Sequence, residues 1–447
     1  MPLAGLPIGK RSALLLDKEN MTKYSISPMS SLYELYLRHP RISTDSRRIE
    51  PDSVFFALRG ASFDGNRFAA DALEKGAAYA VVDDPSLPNT RPDKADRLIV
   101  VDDALQTLQT LAREHRRELG LPILAITGSN GKTTTKELVS RVLAEKYEVY
   151  ATRGNLNNHI GVPLTLLAMT RDVEFGIVEM GASACGEIAL LCSIAEPNYG
   201  IVTNIGRAHL EGFGGPEGVR RGKGELYDWL ARTGGRVFVP ANDPVLMSMA
   251  AERETLAAEC YPTTLADGVE HHLEGDYNRF NVAAAVAVGR YFGVDDDRIR
   301  YAVGSYRPDN HRSQKIRTGQ NTLILDCYNA NPSSMQASLV NFRQEPLESC
   351  TRKILILGDM LELGDWSDAE HRHIISLAAE IPDARILLVG PHFAKAYRSL
   401  ESRPADTTLY PSQEALAAEL RKHPVSQALI LVKGSHSIGL ERLADLL

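Results

Sequence analysis

The sequence predicts an α/β protein of three units, and three observations support this fold class. The chain has 447 residues, enough for two to four domains of about 100–200 residues each. Apolar segments of strand length alternate with amphipathic segments of helix length, as in the βαβ units of a parallel sheet. A Gly-rich loop followed by Lys-Thr joins one such strand to one such helix, which predicts a phosphate-binding loop.

The composition is typical of a soluble protein with ordinary cores. Hydrophobic residues make up 44% and charged residues 24%, which argues against a disordered, collagen-like or disulfide-stapled chain. The net charge of −7 and the lack of a basic tract argue against nucleic-acid binding. Five cysteines without a CxxC pair indicate a reducing compartment, and no apolar run approaches the roughly 20 residues of a membrane helix. We therefore expect a cytoplasmic protein with no nucleic-acid partner and no membrane span.

The first unit covers residues 24–102 and follows a segment, 1–23, that we interpret as an N-terminal extension. The apolar patch in this extension, Ala13–Leu16, is too short for the h-region of a signal peptide, which takes about 7–15 residues. Within the first unit, we expect strands at SVFFALRG, AAYAVVDD and RLIVV and a helix at FAADALEKG.

The second unit covers residues 103–310 and begins with the amphipathic helix ALQTLQTLAREHRREL. The strands LPILAIT, FGIVEMG and YGIVTNIG then alternate with the helices TTKELVSRVLAEK and EIALLCSIA, which predicts a parallel sheet.

The third unit covers residues 311–447 and repeats the alternation. Its strands TLILD, KILILGD, ARILLVG and ALILVKG are separated by three helical segments. Because open parallel sheets bind ligands beyond the carboxyl ends of their strands, Asp326, Asp359 and Lys433 at such ends are candidate site residues.

The strongest local signal is TGSNGKTTT at residues 127–135. Its two glycines let backbone N–H groups approach phosphate oxygens, and the following helix adds the positive end of its dipole. Lys132 can reach the β- and γ-phosphates, and the Thr133 hydroxyl can ligate Mg²⁺. Ile126 stands where the usual GxxxxGK[ST] pattern has its first glycine. The alternative is a ligand-free turn, which the order of strand, loop, Lys-Thr and helix disfavours.

Three further side chains are candidates whose patterns alone do not decide between structure and function. Glu179 ends the strand after the loop and could hold Mg²⁺, although a lone acid there is usually solvated. Taken alone, His209 would be a structural histidine and Lys223 an exposed helix lysine. His371 and His373 lack the spacing of metal ligands and are expected at the surface.

The loop TGSNGKTTT, together with STDSRRI at 43–49 and LVKGS at 431–435, resembles the Mur ligases, the ATP-dependent amide-forming enzymes of peptidoglycan synthesis. The resemblance covers nearly the whole chain. It implies a small N-terminal α/β domain that binds a UDP-linked substrate and a central domain with a P-loop ATPase-like parallel sheet that binds ATP. It implies a C-terminal Rossmann-like domain that binds the incoming amino acid or dipeptide.

Three longer segments indicate which reaction in the family this chain resembles. GNLNNHIGVP (154–163), YNANPSSM (328–335) and GDMLELG (358–364) match the member that joins D-Ala-D-Ala to UDP-MurNAc-tripeptide. The sequence lacks the DNPR segment of the member that adds the third peptide residue. The resemblance thus implies an ADP-forming peptide ligase that acts through an acyl phosphate, as a monomer. The alternatives are a related Mur or folylpolyglutamate-type ligase with another acceptor, and a GTPase-like switch, although no NKxD segment occurs.

The resemblance also implies roles for individual residues. It assigns ATP to Gly128, Ser129, Asn130, Gly131, Lys132, Thr133, Thr134, Asn281, Arg312 and Asp326. It assigns the uridine nucleotide to Asp45, Ser46 and Arg47, the muramoyl part to Asn155, Asn157 and Asn158, and the dipeptide to Asn329 and Asn331. It assigns two Mg²⁺ ions to Thr133, Glu179, His209 and Lys223, and catalysis to Lys132, Glu179, His209 and Lys223; the family's equivalent of Lys223 is often carbamylated.

Two positions depart from the family pattern. Tyr277 replaces a common histidine in the segment GDYN, and His436 follows KGS where an arginine is common.

Overall fold

The computed structural model describes residues 28–273, 275–307, 314–327 and 329–447, so the predicted N-terminal extension lies outside the described residues. The α/β fold class is confirmed: three sheets, each made mainly or wholly of parallel strands, follow one another along the chain. Each predicted unit holds one of them. Within the described ranges, no helix has both the length and the apolar character needed to cross a membrane.

The N-terminal unit is a four-stranded parallel sheet of order β1-β2-β5-β6, with an antiparallel β3–β4 pair beside it. Its elements are α1 (Pro28–Arg38), β1 (Arg41–Ser43), β2 (Ser53–Phe56), β3 (Arg59–Gly60), β4 (Phe63–Asp64), α2 (Ala69–Glu74), β5 (Tyr79–Val82), α3 (Leu87–Thr90) and β6 (Leu98–Val100). Helix α1, which the sequence analysis did not predict, attaches this unit to the next, because the Tyr36 hydroxyl donates to the Leu167 carbonyl at 2.6 Å.

The middle unit is a six-stranded parallel sheet of order β12-β11-β10-β7-β9-β8. Its elements are α4 (Ala104–Leu119), β7 (Ile123–Thr127), α5 (Lys132–Ala144), β8 (Val149–Ala151), α6 (Gly161–Leu167), β9 (Phe175–Glu179), α7 (Glu187–Ala195), β10 (Tyr199–Val202), α8 (Leu210–Phe213), α9 (Pro216–Thr233), β11 (Arg236–Pro240), α10 (Pro244–Ala251), β12 (Ala257–Tyr261), α11 (Asn278–Tyr291) and α12 (Asp296–Ser305). In the parallel register Ile126 pairs with Glu179, which places this carboxylate beside the start of the phosphate loop.

The C-terminal unit is a six-stranded sheet of order β13-β14-β18-β15-β16-β17, in which β13 alone runs antiparallel to its neighbour. Its elements are β13 (Gln314–Arg317), β14 (Thr322–Asp326), α13 (Pro332–Gln344), β15 (Arg352–Gly358), α14 (Ser367–Ala379), β16 (Ala384–Val389), α15 (Pro391–Arg398), β17 (Thr407–Tyr410), α16 (Gln413–Lys422) and β18 (Ala428–Lys433). Asp326 and Lys433 are register partners, so their side chains meet at the carboxyl ends of two adjacent strands.

The expectation of a surface position for His371 is wrong. Its side chain is completely buried, and its Nε2 accepts a hydrogen bond from the Met360 N–H at 3.1 Å. Its Nδ1–H donates to the Ser367 carbonyl at 2.7 Å. The histidine thus satisfies backbone groups inside the unit, and burial lowers the pKa of its ring.

The middle and C-terminal units share one apolar cluster. Leu210 and Phe213 of α8 pack in the same buried group as Leu357, Met360 and Leu363 from the end of β15 and the segment after it. Burial of apolar side chains from both units holds the two sheets together with their carboxyl ends facing a common space.

Candidate active site

A cavity of 780 Å³ lies between the middle and C-terminal units. The predicted site residues that line it are Ser129, Asn130, Gly131, Lys132, Thr133, Thr134, Asn155, Asn157, Asn158, Glu179, His209, Asn281, Asp326, Asn329 and Lys433. Asp359 does not line it, because its buried carboxylate accepts hydrogen bonds from the His392 and Phe393 N–H groups. Gly128, Lys223 and Asn331 are not among the lining residues but lie next to residues that are. Asp45, Ser46 and Arg47 lie in the N-terminal unit, away from this lining, and Arg312 lies outside the described residues.

The phosphate loop is packed so tightly that both of its glycines are required. Gly128 has φ +140°, and a Cβ there would lie 2.0 Å from the Thr203 hydroxyl oxygen. Gly131 has φ +79°, and a Cβ there would lie 2.6 Å from Oδ1 of Asn281. Any larger residue would therefore clash as well as strain the backbone.

The segment after β10 forms hydrogen bonds with the phosphate loop, and the sequence analysis missed this contact. The Asn204 carbonyl accepts from the Ser129 N–H at 3.1 Å, and Oδ1 of Asn204 accepts from the Asn130 N–H at 3.1 Å. The Thr203 hydroxyl donates to the Asn130 carbonyl at 2.5 Å. The polar pair Thr-Asn directly after the apolar run YGIV is the sequence signal that could have predicted this contact.

The positive groups of the site converge on the loop. Nζ of Lys132 donates to the Gly128 carbonyl at 2.7 Å and to the Ser129 carbonyl at 3.3 Å. Helix α5, 13 residues long, begins at Lys132, so its N-terminal N–H groups and its dipole also favour an anion here. The arrangement suits the phosphates of a nucleotide.

Glu179 presents a buried carboxylate with one unsatisfied oxygen. Its exposed fraction is 1%; Oε1 accepts from Nδ2 of Asn157 at 2.8 Å, while Oε2 has no hydrogen-bond partner among the described residues. An orphaned carboxylate oxygen in the same cavity as the Thr133 hydroxyl is the donor chemistry that Mg²⁺ prefers.

The described ranges hold no group of three or more His, Cys, Asp or Glu residues placed to bind a metal.

Lys136 is a buried cation near Glu179 that the sequence analysis missed. Its Nζ lies 4.0 Å from Oε2 of Glu179 and donates to the Thr152 carbonyl at 2.6 Å. The Thr152 hydroxyl in turn accepts from the Glu179 N–H at 3.0 Å. This amine also lies 2.9 Å from Oε1 of Glu137, so it offsets part of the charge of both carboxylates.

Lys223 is buried, so the interpretation as an exposed helix lysine is wrong. It lies on α9 with an exposed fraction of 1%, donates from Nζ to the Ala182 carbonyl at 3.0 Å and stands 5.1 Å from the Phe213 ring centroid. Burial, and secondarily the nearby Lys132 ammonium, hold the pKa of Lys223 well below its usual range. Its amine therefore loses its proton far more readily than that of a surface lysine.

The C-terminal unit supplies the opposite wall. The Asp326 carboxylate accepts from the buried Nζ of Lys433 and, at 3.0 Å, from the Ser338 hydroxyl. Asn331 caps α13, and its Nδ2 donates to Oδ1 of Asn130 in the phosphate loop at 2.8 Å. The C-terminal unit is thus in direct contact with the loop.

His209 precedes α8 and extends the site toward the C-terminal unit. Its Nδ1 is hydrogen-bonded to the Glu362 carboxylate, which belongs to GDMLELG and was not predicted as a site residue. Both residues line the cavity.

The predicted uridine-binding residues form a separate group in the N-terminal unit, in which Arg47 is exposed and Asp45 is half-buried. Arg47 donates to both carboxylate oxygens of Asp45 at 2.9 Å, and this hydrogen bonding lowers the pKa of Asp45 to about 2. The side chain of Ser46 is buried.

Three family profiles match the chain. They are the Mur ligase family, catalytic domain, over residues 40–116, the Mur ligase middle domain over 126–264, and the Mur ligase, glutamate ligase domain, over 311–436. A curated relative from Bacillus subtilis (strain 168), UDP-N-acetylmuramoyl-tripeptide–D-alanyl-D-alanine ligase, is 34% identical over 432 residues, which cover 90% of this chain and 92% of the relative.

Solved structures give the same result. MurF from Acinetobacter baumannii superposes with a TM-score of 0.79 at 30% identity, covering 91% of this chain and 93% of that chain. MurF from Thermotoga maritima, solved in complex with ADP, superposes with a TM-score of 0.77 at 25% identity, covering 92% and 97%.

A phosphate-type loop that faces a second α/β unit across one cavity defines the class: a nucleotide-dependent enzyme whose candidate active site lies between two units. The chain belongs to the Mur ligase family and is an enzyme of the ligase class. The family resemblance inferred from the sequence motifs is thereby confirmed.

Proposed function

We propose that this protein joins D-alanyl-D-alanine to UDP-N-acetylmuramoyl-tripeptide at the expense of ATP, completing the UDP-linked pentapeptide of peptidoglycan synthesis. One observation carries the proposal: the phosphate loop and residues 329–335 of the segment YNANPSSM meet in a single cavity, joined by the Asn331–Asn130 hydrogen bond. Curated relatives of this name match over about nine-tenths of the chain, which favours this acceptor over those of other family members.

The first chemical step is the attack of the tripeptide carboxylate on the γ-phosphate, which forms an acyl phosphate and releases ADP. Two anions must approach each other, so the site has to supply positive charge. In the proposal, Lys132 and the N-terminus of α5 stabilise the phosphates, and Asn281, Asp326 and Arg312 hold the adenine and ribose. The tight packing of Gly131 against Asn281 supports a nucleotide site built jointly by the loop and α11.

Mg²⁺ is part of the proposal because the residues present fit it. Thr133 and Glu179 would hold the ion on the nucleotide, and the orphaned Oε2 of Glu179 supports this assignment. His209 and Lys223 would hold a second ion. When bound, such ions neutralise phosphate oxygens and so reduce the repulsion that the carboxylate meets.

Carbamylation of Lys223 is a further part of the proposal. Attack of the neutral lysine amine on CO₂ forms an N–C bond at the expense of one C=O π bond and releases a proton, which converts the uncharged amine into an anionic carbamate with oxygen ligands. The low pKa that burial gives Lys223 supports this reaction because only the neutral amine is a nucleophile.

The two ends of the UDP-linked substrate would occupy different units. Asp45, Ser46 and Arg47 would contact the uridine nucleotide, and Asn155, Asn157 and Asn158 the muramoyl part. Their separation suits a long substrate whose nucleotide and reacting carboxylate lie far apart.

In the second step, the amine of D-Ala-D-Ala displaces phosphate from the acyl phosphate and forms the amide. Asn329 and Asn331 would position the dipeptide along the C-terminal wall. We expect the enzyme to act in the cytoplasm, as a monomer.

The test is phosphate release from ATP with UDP-MurNAc-tripeptide, with and without D-Ala-D-Ala. We expect turnover to require the dipeptide, with little stimulation by free D-Ala or diaminopimelate. Strong stimulation by diaminopimelate or lysine on UDP-MurNAc-dipeptide would reassign the protein to another ligase of the family. Slow hydrolysis indifferent to any acceptor would instead indicate a nucleotide-dependent switch.

A further inference from the structure

The contact between His209 and Glu362 joins two units of the chain at the active-site cavity. His209 comes from the middle unit, between β10 and α8, whereas Glu362 comes from the C-terminal unit, after β15. The pair is separated by 153 residues in sequence and lines the same cavity. Glu362 has no assigned role in the proposed mechanism.

The chemistry of the contact fixes the form of the histidine ring. An ionised carboxylate can only accept a hydrogen bond, so the proton shared with Glu362 belongs to Nδ1 of His209. In the neutral ring, Nε2 then carries the lone pair. Metal-binding histidines characteristically donate their other ring N–H to a carboxylate or carbonyl, which fixes both the tautomer and the ring orientation.

The segment that carries Glu362 is itself held on several sides. The Glu362 carbonyl accepts from the Glu211 N–H of α8 at 3.2 Å, so the backbone of Glu362 also contacts the middle unit. The Leu361 N–H donates to the Ser435 hydroxyl at 3.2 Å, and the Met360 N–H donates to the buried His371. The carboxylate is therefore presented by an anchored segment.

We infer that Glu362 is a positioning residue that sets the tautomer and orientation of His209, and that it does so only when the C-terminal unit is docked on the middle unit. The inference rests on the proposed function, in which His209 is a ligand of the second Mg²⁺. It follows that the middle unit alone does not hold His209 in the form that binds a metal ion. Docking of the C-terminal unit, which brings Glu362 to the histidine, is required as well.

The first readout needs neither nucleotide nor metal. Histidine ¹⁵N spectra of the full chain at about pH 8.5, roughly two units above the ordinary histidine pKa, report the tautomer of each neutral ring. The His209 signal is identified by its absence in His209→Asn. We expect the Nδ1–H form in the wild type and in Glu362→Gln, whose amide oxygen still accepts the bond, and the Nε2–H form in Glu362→Ala.

The second readout is the Mg²⁺ dependence of phosphate release. We expect Glu362→Ala to raise the half-saturating Mg²⁺ concentration or lower kcat by about 10- to 100-fold, the usual effect of removing a carboxylate behind a metal-binding histidine. Glu362→Gln should recover part of this loss. The control is Glu254→Gln, which alters an exposed glutamate of the middle unit away from the cavity lining and should behave as wild type.

The inference would be overturned if a folded Glu362→Ala variant kept the wild-type tautomer, or if it kept both the wild-type half-saturating Mg²⁺ concentration and the wild-type kcat. Failure of the proposed function has a different signature, because wild-type turnover would then not require D-Ala-D-Ala while the ¹⁵N result could still hold.

Discussion

Lys132 is the side chain on which the phosphate loop depends for its charge. Its Nζ reaches the Gly128 and Ser129 carbonyls at the N-terminus of α5, so it stands where developing negative charge would be stabilised. We expect Lys132→Ala to lower turnover by a factor on the order of 10²–10³, the cost of removing one positioned donor at an anionic transition state. Circular dichroism and thermal unfolding should change little, because the side chain faces a polar cavity. Near-normal phosphate release in this variant would contradict the assignment.

Burial makes Lys223 testable as a functional group. If the carbamate is needed, Lys223→Ala should be nearly inactive, and Lys223→Glu or added short carboxylic acids should restore part of the rate. The matched control is Lys422→Ala, an exposed lysine at the end of α16, for which we expect normal turnover and a stability change below about 0.5 kcal/mol. A fully active Lys223→Ala would exclude the lysine from the site.

The lowered pKa of Lys223 also has a consequence for stability. In the unfolded chain the pKa of Lys223 returns to its ordinary value of about 10.4. At a pH between the lowered pKa of the folded protein and this ordinary value, the unfolded chain binds a proton at Lys223 that the folded protein lacks. The free energy of unfolding should therefore rise with pH in this window, by at most about 1.4 kcal/mol per unit, and fall as the pH is lowered through it. The free energy of unfolding, measured by urea unfolding in CO₂-free buffer at several pH values, should rise less steeply with pH for Lys223→Met than for the wild type. Equal slopes would argue against a depressed pKa.

At the scale of elements, the loop between β7 and α5 needs a glycine at position 131, where the backbone lies close to the Asn281 side chain of α11. Gly131→Ala would impose a left-handed backbone on alanine and place its Cβ against Asn281, so we expect destabilisation of more than about 1–2 kcal/mol and at least about tenfold weaker ADP binding. Gly234→Ala is the control, because its φ of +73° is similar and a Cβ there meets nothing within 4 Å. It should lose stability without losing nucleotide affinity, as calorimetric titration with ADP would show. Equal effects of the two substitutions on affinity would contradict this account.

At the scale of the whole molecule, an ion pair links the two units around the cavity. Nη1 of Arg207 lies 2.8 Å from Oε1 of Glu370, whose side chain is 3% exposed while that of Arg207 is 47% exposed. Arg207→Met would leave a buried carboxylate without this cation, which should weaken docking of the C-terminal unit by an amount on the order of 2 kcal/mol, less than for a fully buried pair. Small-angle scattering should show a larger radius of gyration for Arg207→Met than for the wild type, and steady-state kinetics should show a higher KM for D-Ala-D-Ala. The double variant Arg207→Met/Glu370→Gln should bring both the radius of gyration and the KM for D-Ala-D-Ala back toward their wild-type values. An Arg207→Met variant with the wild-type radius of gyration would contradict the prediction.

The sequence by itself determined the features that short-range patterns encode. The helices ALQTLQTLAREHRREL and EIALLCSIA and the strand TLILD have the bounds that their patterns predicted, and the phosphate loop lies between its predicted strand and helix. Apolar periodicity and the Gly-Lys-Thr order are local properties of the sequence, so what they predict does not depend on which distant segments pack nearby. The antiparallel strand β13, of sequence QKIR, has no such pattern and was missed.

Only the tertiary structure decided which polar groups are buried and which distant segments meet. The burial of Lys223 and His371, the amine of Lys136 beside Glu179, and the contact of Glu362 with His209 each depend on how whole helices and units pack. A residue's burial is a property of the surface laid against it, which can come from far away in the chain, as the 153 residues between His209 and Glu362 illustrate. The motifs therefore contain most of the predicted residues that line the cavity, whereas the packing of the C-terminal unit on the middle unit set the environment of their side chains.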